Sequence, residues 1–287
     1  MTEGVILGGD LNIFRGEEID GRFLAYQIRH NASSKIARIA QGVSVVHISA
    51  SELKNVKVTV PERAEQYRIV ELLSTLDSRI DSQRHLVELL KKHKRGAIEK
   101  LFSSHRWPEV PLGEIAEINP KPSKINDEFF YADLESVEDG VLKNLNLVQK
   151  ANAPSRAQRT VQVNDILFQM VRPYQQNNYL ARHTFDKQLI ASTGYAQLRT
   201  KEDPEFIYWQ LHTKRFLQCV LERCTGSGYP AINASDLKDI SVRIAPRTEQ
   251  QKIAQVLRSL ADKSVAEERL IHQLETLKRA LLQQLFV

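Results

Sequence analysis

Two cysteines, two methionines and two tryptophans are all that this chain of 287 residues holds of those types. Cys219 and Cys224 stand five apart with no third cysteine to join them. That excludes a multi-disulfide scaffold and a cysteine-rich zinc site, and predicts buried free thiols on one helix. No apolar run approaches the length of a membrane helix, so no membrane partner is expected. The opening MTEGVILGGD has neither a basic stretch nor an apolar core of signal-peptide type. With so little cysteine, a cytoplasmic location is expected. Signatures of catalysis are also missing: there is no GxxxxGK[ST], no GxSxG and no HExxH. Neither a metal nor a cofactor bound by this chain is expected.

What the sequence does contain is a statement made twice. SASELKNV at Ser49 returns as NASDLKDI at Asn233. At an offset of 184, Gly42–Ser103 aligns on Gly226–Val287 without a gap, with 19 identities over 62 positions. Upstream, with a one-residue slip, FLAYQI at Phe23 matches FIYWQL at Phe206. So long a period is a duplicated domain with its connection rather than a solenoid unit. It suggests two related halves docked about a pseudo-two-fold.

Each copy ends in a heptad stripe. Ile69, Leu73, Leu76, Ile80, Gln83, Val87, Leu90, Lys94, Ala97 and Leu101 recur at steps of three and four, and so do Ile253, Leu257, Leu260, Ser264, Glu267, Ile271, Leu274, Lys278, Leu281 and Leu285. About 40 residues at 1.5 Å each make a helix on the order of 60 Å long, too narrow in its apolar stripe to stand alone. Its copy is the nearest partner, giving an antiparallel pair. Both stripes turn polar at the same steps, Gln83/Glu267 and Lys94/Lys278. Such breaks either fix register or mark where the stripe reaches solvent. Elsewhere, Arg22–Ile39 and Pro204–Arg223 read as helices. Thr160–Val163, Ile166–Phe168, Ala196–Leu198, Asn55–Val60 and its copy Ile240–Ile244 read as strands.

Two fragments resemble catalytic motifs. Asn119-Pro120-Lys121-Pro122 lacks the stacking aromatic of an amino-methyltransferase clamp, and a proline-punctuated loop explains it better. Glu52-Leu53-Lys54 and Asp236-Leu237-Lys238 match part of a metal-dependent nuclease site, yet each follows a serine, Ser51 or Ser235, at an apparent helix cap. The stronger signal is compositional. Val141–Phe185 carries Lys143, Lys150, Arg156, Arg159, Arg172 and Arg182 against the single acid Asp165, with twelve Asn and Gln. It ends in RPYQQNNY. Forked arginine and amide groups match base edges in the major groove, and nearby cations hold phosphates. Arg172, Tyr174, Gln175, Gln176, Asn177 and Asn178 are therefore candidate base readers. Lys143, Arg156 and Arg159 are candidate phosphate contacts. Ser227 and Tyr229, in TGSGY, belong to a second candidate loop.

DILFQMVRPY (Asp165–Tyr174), STGYAQLR (Ser192–Arg199), TGSGYPAINASDLKDISVRIAP (Thr225–Pro246) and EQQKIAQVL (Glu249–Leu257), followed by a long helix ending in LF, resemble the specificity subunits of type I restriction–modification enzymes. The resemblance covers essentially the whole chain. It implies target-recognition domains alternating with helical spacers, each domain reading half of a split site in double-stranded DNA. It also implies a non-catalytic subunit that carries methyltransferase (modification) subunits, with S-adenosylmethionine on those partners and restriction subunits joining through the complex. The expected fold is α+β, with mixed-sheet recognition domains and two long helices in an antiparallel coiled coil. One departure stands out. Met1 aligns near Asp186 of the second copy, and nothing in the sequence corresponds to Trp107–Phe185 for the first. The expected organisation is the C-terminal part of a truncated first recognition domain (1–61), a first spacer (62–104), a complete second recognition domain (105–246) and a second spacer (247–287). Two rival classes are a coiled-coil adaptor that no longer binds DNA and a stand-alone nuclease.

Overall fold

The structure is a computed structural model describing residues 11, 13–14, 16–39, 48–104, 106–143, 145–226 and 228–286. The helices run in order as α1 (Gly21–Gln27), α2 (Ser33–Ile39), α3 (Ala50–Leu53), α4 (Arg63–Ser103), α5 (Leu112–Ile115), α6 (Pro204–Gln210), α7 (Lys214–Leu221), α8 (Ala234–Lys238) and α9 (Arg247–Leu285). A π-turn, Ile28–Ala32, joins α1 to α2. The strands are β1 (Glu109–Pro111), β2 (Ala116–Ile118), β3 (Glu128–Ala132), β4 (Val137–Glu138), β5 (Val141–Leu142), β6 (Asn146–Gln149), β7 (Ala157–Val161), β8 (Ile166–Gln169), β9 (Tyr179–Leu180), β10 (Leu189–Ser192), β11 (Tyr195–Thr200) and β12 (Ser241–Arg243). The chain divides into two compact units, Met1–Leu89 with Ser264–Val287, and Leu90–Lys263.

In the first unit the start of α4 meets the end of α9. Phe23, Ile69, Val70, Leu73 and Phe286 form the core, with Tyr26, Leu281, Leu282 and Leu285 against it. The two helices are therefore antiparallel here, as the matched stripes predict. The polar steps of the seam have partners. Gln83 hydrogen-bonds Glu267. Lys278 pairs with Asp77 and lies 5.6 Å from the Tyr26 ring centroid, and the Tyr26 hydroxyl donates to the same carboxylate at 2.7 Å. These steps are fixed contacts rather than places where the stripe drifts to solvent. Leu76, Ile80 and Val87 are buried as well, and Ile271 and Leu274 are half-buried.

In the second unit the end of α4 meets the start of α9. Ile98, Phe102, Ile253, Ala254 and Leu257 share one core with the helices and inner strands of the recognition domain, and Leu101 and Leu260 pack on it. Leu90 is half-buried. A four-stranded antiparallel sheet runs β2-β11-β8-β9, and a four-stranded mixed sheet runs β6-β3-β10-β7 with β3 and β10 parallel. β1 pairs with β12, and β4 with β5. Fully buried β8 (Ile166, Leu167, Phe168) explains why that stretch reads as a continuous apolar run rather than an alternation. Asp165 is buried beneath it, accepting from Arg199 at 2.9 and 2.8 Å and from Gln197 at 2.7 Å.

The duplication is legible in bonds. Buried Gln66 accepts from the Asp20 backbone N–H at 2.8 Å and donates to the Pro61 carbonyl at 2.9 Å. Its copy Gln250, equally buried, accepts from Asp203 N–H at 3.0 Å and donates to the Ala245 carbonyl at 2.8 Å. Lys94 lies 5.7 Å from the Trp209 ring centroid, as its copy Lys278 lies over Tyr26. The grooves beside these lysines differ, however. In the first unit Tyr26, Asp77, Arg84, Glu275, Lys278 and Arg279 line one of about 870 Å³. In the second it shrinks to about 100 Å³, because Asp139, Gln175 and Gln176 stand in it. Those residues come from a stretch with no counterpart for the first copy in this sequence.

Three expectations are corrected. Asn55–Val60 forms no strand. Its copy is a strand only by pairing with Glu109–Pro111, which has no counterpart for the first copy in this sequence, and a lone strand cannot satisfy its ladder. The single helix read over Pro204–Arg223 breaks at Leu211–Thr213, where the Thr213 hydroxyl accepts from Phe216 N–H and starts α7. Cys219 lies on α7 but Cys224 lies past its end; both are free and half-buried. Among the described residues no helix is long and apolar enough to cross a membrane.

Candidate nucleic-acid interface

The basic, amide-rich stretch leaves β8 and folds back on itself at once. Arg172 adopts the left-handed conformation (φ 53°, ψ 53°), Pro173–Gln175 make a 3-10 turn, and Gln176 is left-handed again (φ 53°). A non-glycine residue held there costs on the order of 1–2 kcal/mol. What over-determines the loop is Gln169, buried at the end of β8. Its backbone N–H donates to Asn178 Oδ1 at 2.9 Å, its side-chain amide donates to Gln175 Oε1 at 2.8 Å, and its Oε1 accepts from Asn177 N–H at 3.0 Å. Sequence reasoning passed over Gln169. Its position at the inner end of an apolar strand, beside a cluster of amides, is the signal that marks it.

Asn178 is only 1% exposed. Its amide nitrogen donates to His212 Nε2 at 3.4 Å, while His212 Nδ1 donates to the Tyr208 carbonyl at 2.8 Å. Burial, with Lys94 nearby, pulls the His212 pKa down to about 4, so the ring is neutral and can accept. Asn178 is therefore a support inside the loop, and its expected role as a base reader does not stand: a buried amide already bonded to protein cannot meet a base edge. Gln175 is engaged by Gln169, and Gln176 reaches the His212 carbonyl at 3.5 Å. Tyr174 is exposed and Asn177 half-exposed, and neither side chain makes a hydrogen bond among the described residues.

A second loop meets the first. Thr225 and Ala231 exchange backbone hydrogen bonds at 2.9 and 3.0 Å, and Gly226 (φ 90°) makes the turn between them, where a Cβ would come within 3.1 Å of the Tyr229 carbonyl. Val171 also bridges Ala231, and Arg172 N–H donates to the Pro230 carbonyl at 2.8 Å. The guanidinium of Arg172 then sits 4.2 Å from the ring centroid of Tyr229, a residue 67% exposed. Two residues 57 apart in sequence thus form one stacked pair. Ser227 lies outside the described residues, as do Ser44 and His47 of the GVSVVH stretch (Gly42–His47) in the first copy.

The cations of the window are not equivalent. Arg182 forks onto Glu205 at 2.6 and 2.9 Å beside Tyr208. Burial opposes its charge and the carboxylate outweighs that, raising its pKa. Lys143 stands 3.7 Å from Glu138. Arg156 is exposed with no ion pair among the described residues. Arg159, on β7, is half-buried, its Nε enclosed and without a partner, and burial lowers its pKa. Arg159 lies on β7 of the β3-containing sheet and Arg156 just before it, while Lys143 follows β5 of the separate β4–β5 hairpin. None of their described bonds reaches the Arg172–Tyr229 pair.

The nuclease-like fragments have local structural roles. Glu52 completes a capping box with Ser49, and Asp236 N–H is capped by Asn233 at 2.8 Å. The caps are thus two residues earlier than Ser51 and Ser235. Among the described residues no cluster of His, Cys, Asp and Glu could hold a metal ion. Asn119 is held by Gln197, giving its N–H to the carbonyl at 2.7 Å and accepting the Gln197 N–H at 3.0 Å.

Comparison with known proteins bears on the family and the fold. A relative from Methanocaldococcus jannaschii, named for the MjaX specificity subunit of a type I restriction enzyme, is 23% identical over 292 residues, covering 92% of this chain and 67% of its own length. The HindI specificity subunit of Haemophilus influenzae is 22% identical over 202 residues, 63% of this chain and 41% of its own. The chain thus spans only part of its relatives' length. Among solved structures, the type I restriction–modification S subunit of M. genitalium superposes with a TM-score of 0.65 at 19% identity, over 94% of this chain and 73% of that one. A chain from a structure of type I R-M complex assembly gives 0.55 at 20%, over 94% and 72%. Both share the fold. Residues 2–92 and 105–276 match the type I restriction modification DNA specificity domain, and the chain belongs to that family.

Proposed function

We propose that this chain is the DNA-recognition subunit of a type I restriction–modification complex, and that its second unit reads one half-site through the loops holding Arg172 and Tyr229. The observation that carries the reading is that pair: a forked cation, set in a strained turn and stacked on an exposed aromatic, between two loops locked to each other. Its planar donors match a base edge, and Arg156 and Arg159, without an ion pair among the described residues, supply phosphate contacts. The chain is the non-catalytic member of the assembly. Methyltransferase subunits dock on it, restriction subunits join through them, and S-adenosylmethionine sits on the methyltransferase. The glycine-rich stretch Thr225–Tyr229 leaves a helix rather than a strand, which is the wrong setting for a nucleotide-type cradle.

The test is a selection from random-sequence duplex DNA by the 287-residue chain, alone and with a methyltransferase subunit. Enrichment of one short motif, with affinity falling steeply in salt, is expected. A pool that stays random in both arms would favour the adaptor reading. Cleavage by the pure chain in Mg²⁺, abolished by Glu52→Ala or Asp236→Ala, would favour the nuclease.

A further inference from the structure

We infer that Tyr229 is the positioning residue of the base-reading site, holding the Arg172 guanidinium flat so that it presents two parallel donors to a guanine edge. The inference rests on the reading proposed above and adds which residue touches the base, which residue aims it, and which base it suits.

Five observations converge. The guanidinium carbon lies 4.2 Å from the Tyr229 centroid, a distance at which a planar cation lies against a ring face. The Arg172 backbone is held left-handed and tied to Pro230, the residue after Tyr229. Main chain, not only side chain, therefore fixes the two in register. Arg172 makes no ion pair among the described residues, unlike Arg182 and Arg199. Its Nε is buried and unpartnered, so the inner edge of the fork faces protein and the two terminal nitrogens remain for a ligand. A fork with two outward donors matches the two acceptors of guanine, N7 and O6, and no other base offers that pair in the major groove. Tyr229 itself is 67% exposed, far more than packing would require, and its ring face is what remains of it to work with.

The stacking needs the ring and not the hydroxyl. Tyr229→Phe is therefore the conservative variant, and Tyr229→Ala removes the platform. The experiment measures binding of the full chain to its selected duplex and to every single-base substitution of that duplex, at several salt concentrations. Arg172→Ala should lose discrimination at one guanine position by roughly ten- to a hundred-fold. Tyr229→Ala should lose it at the same position with the salt slope unchanged, and Tyr229→Phe should keep it. The double variant should be no worse than Arg172→Ala alone, because an unaimed reader and an absent one are equivalent. Losses at different positions, additive losses, or a uniform weakening with a shallower salt slope would each overturn the inference while leaving the recognition function standing. A wild-type chain with no sequence preference overturns both.

Discussion

At the scale of single residues, the polar groups divide into those that hold and those that remain available. Gln169 and Asn178 hold. Replacing either with Ala strands buried backbone or amide groups of the same loop, at about 1–3 kcal/mol each. The bond between them is donated by the Gln169 backbone N–H and survives Gln169→Ala, but both side chains brace the same turn, so the two losses should be non-additive. Urea unfolding of the single and double variants checks this, and additive losses would separate the two residues energetically. His212 makes the loop sensitive to acid. Its pKa falls from an ordinary 6.5 to about 4 in the folded chain. The unfolded chain therefore binds the proton first as pH drops. The contribution of the neutral ring is fully present above about pH 6.5, declines as pH falls, and is gone near pH 4. With about 1.4 kcal/mol per pKa unit, this amounts to a few kcal/mol at most. His212→Gln should flatten the stability–pH curve across that window; an unchanged curve would show that other groups set it. The depressed carboxyl of Asp139, where burial opposes the charge and Lys91 outweighs it, acts only at lower pH.

At the scale of elements, the long helices are stabilised unevenly along their length. Leu73 and its copy Leu257 are fully enclosed, each at the foot of a domain core, whereas Leu274 is half-buried. Leu73→Ala or Leu257→Ala should cost about 2–5 kcal/mol, and Leu274→Ala clearly less. Equal shifts in denaturation midpoint for all three would mean a uniform coiled coil. The heptad was legible because apolar spacing is a local property. Which turns of it are buried deepest was not, because that depends on what the globular domains bring against them. The repeated glutamine shows the same limit: Gln66/Gln250 was visible as an identity, but its work, tying a spacer-helix start to a domain-helix cap, appears only in three dimensions.

At the scale of the whole molecule, a net charge of +5 overstates what is free to meet a polyanion. The window of six cations loses Arg182 to Glu205 and has Lys143 beside Glu138. Arg156→Ala should therefore weaken DNA binding evenly across sequences and reduce the salt slope by about one, with Lys143→Ala doing less. Titrations of both variants at several salt concentrations decide the order, and the reverse order would show that the Glu138 contact yields when DNA binds.

The sequence by itself determined the duplication, the two long helices, the absence of local catalytic signatures and the family. Each is carried by periodicity, spacing or repeated identity along the chain, and these survive without knowledge of distant contacts. It also marked one loop as a candidate, because polar amides and arginines are crowded there between apolar strands. Only the tertiary structure decided which of those side chains remain exposed. Asn178 turned inward to His212, Arg182 found Glu205, and Arg172 met Tyr229 across 57 residues. Burial and pairing are properties of neighbours in space, and a strand such as Asn55–Val60, sound in its alternation, forms only if another strand arrives beside it.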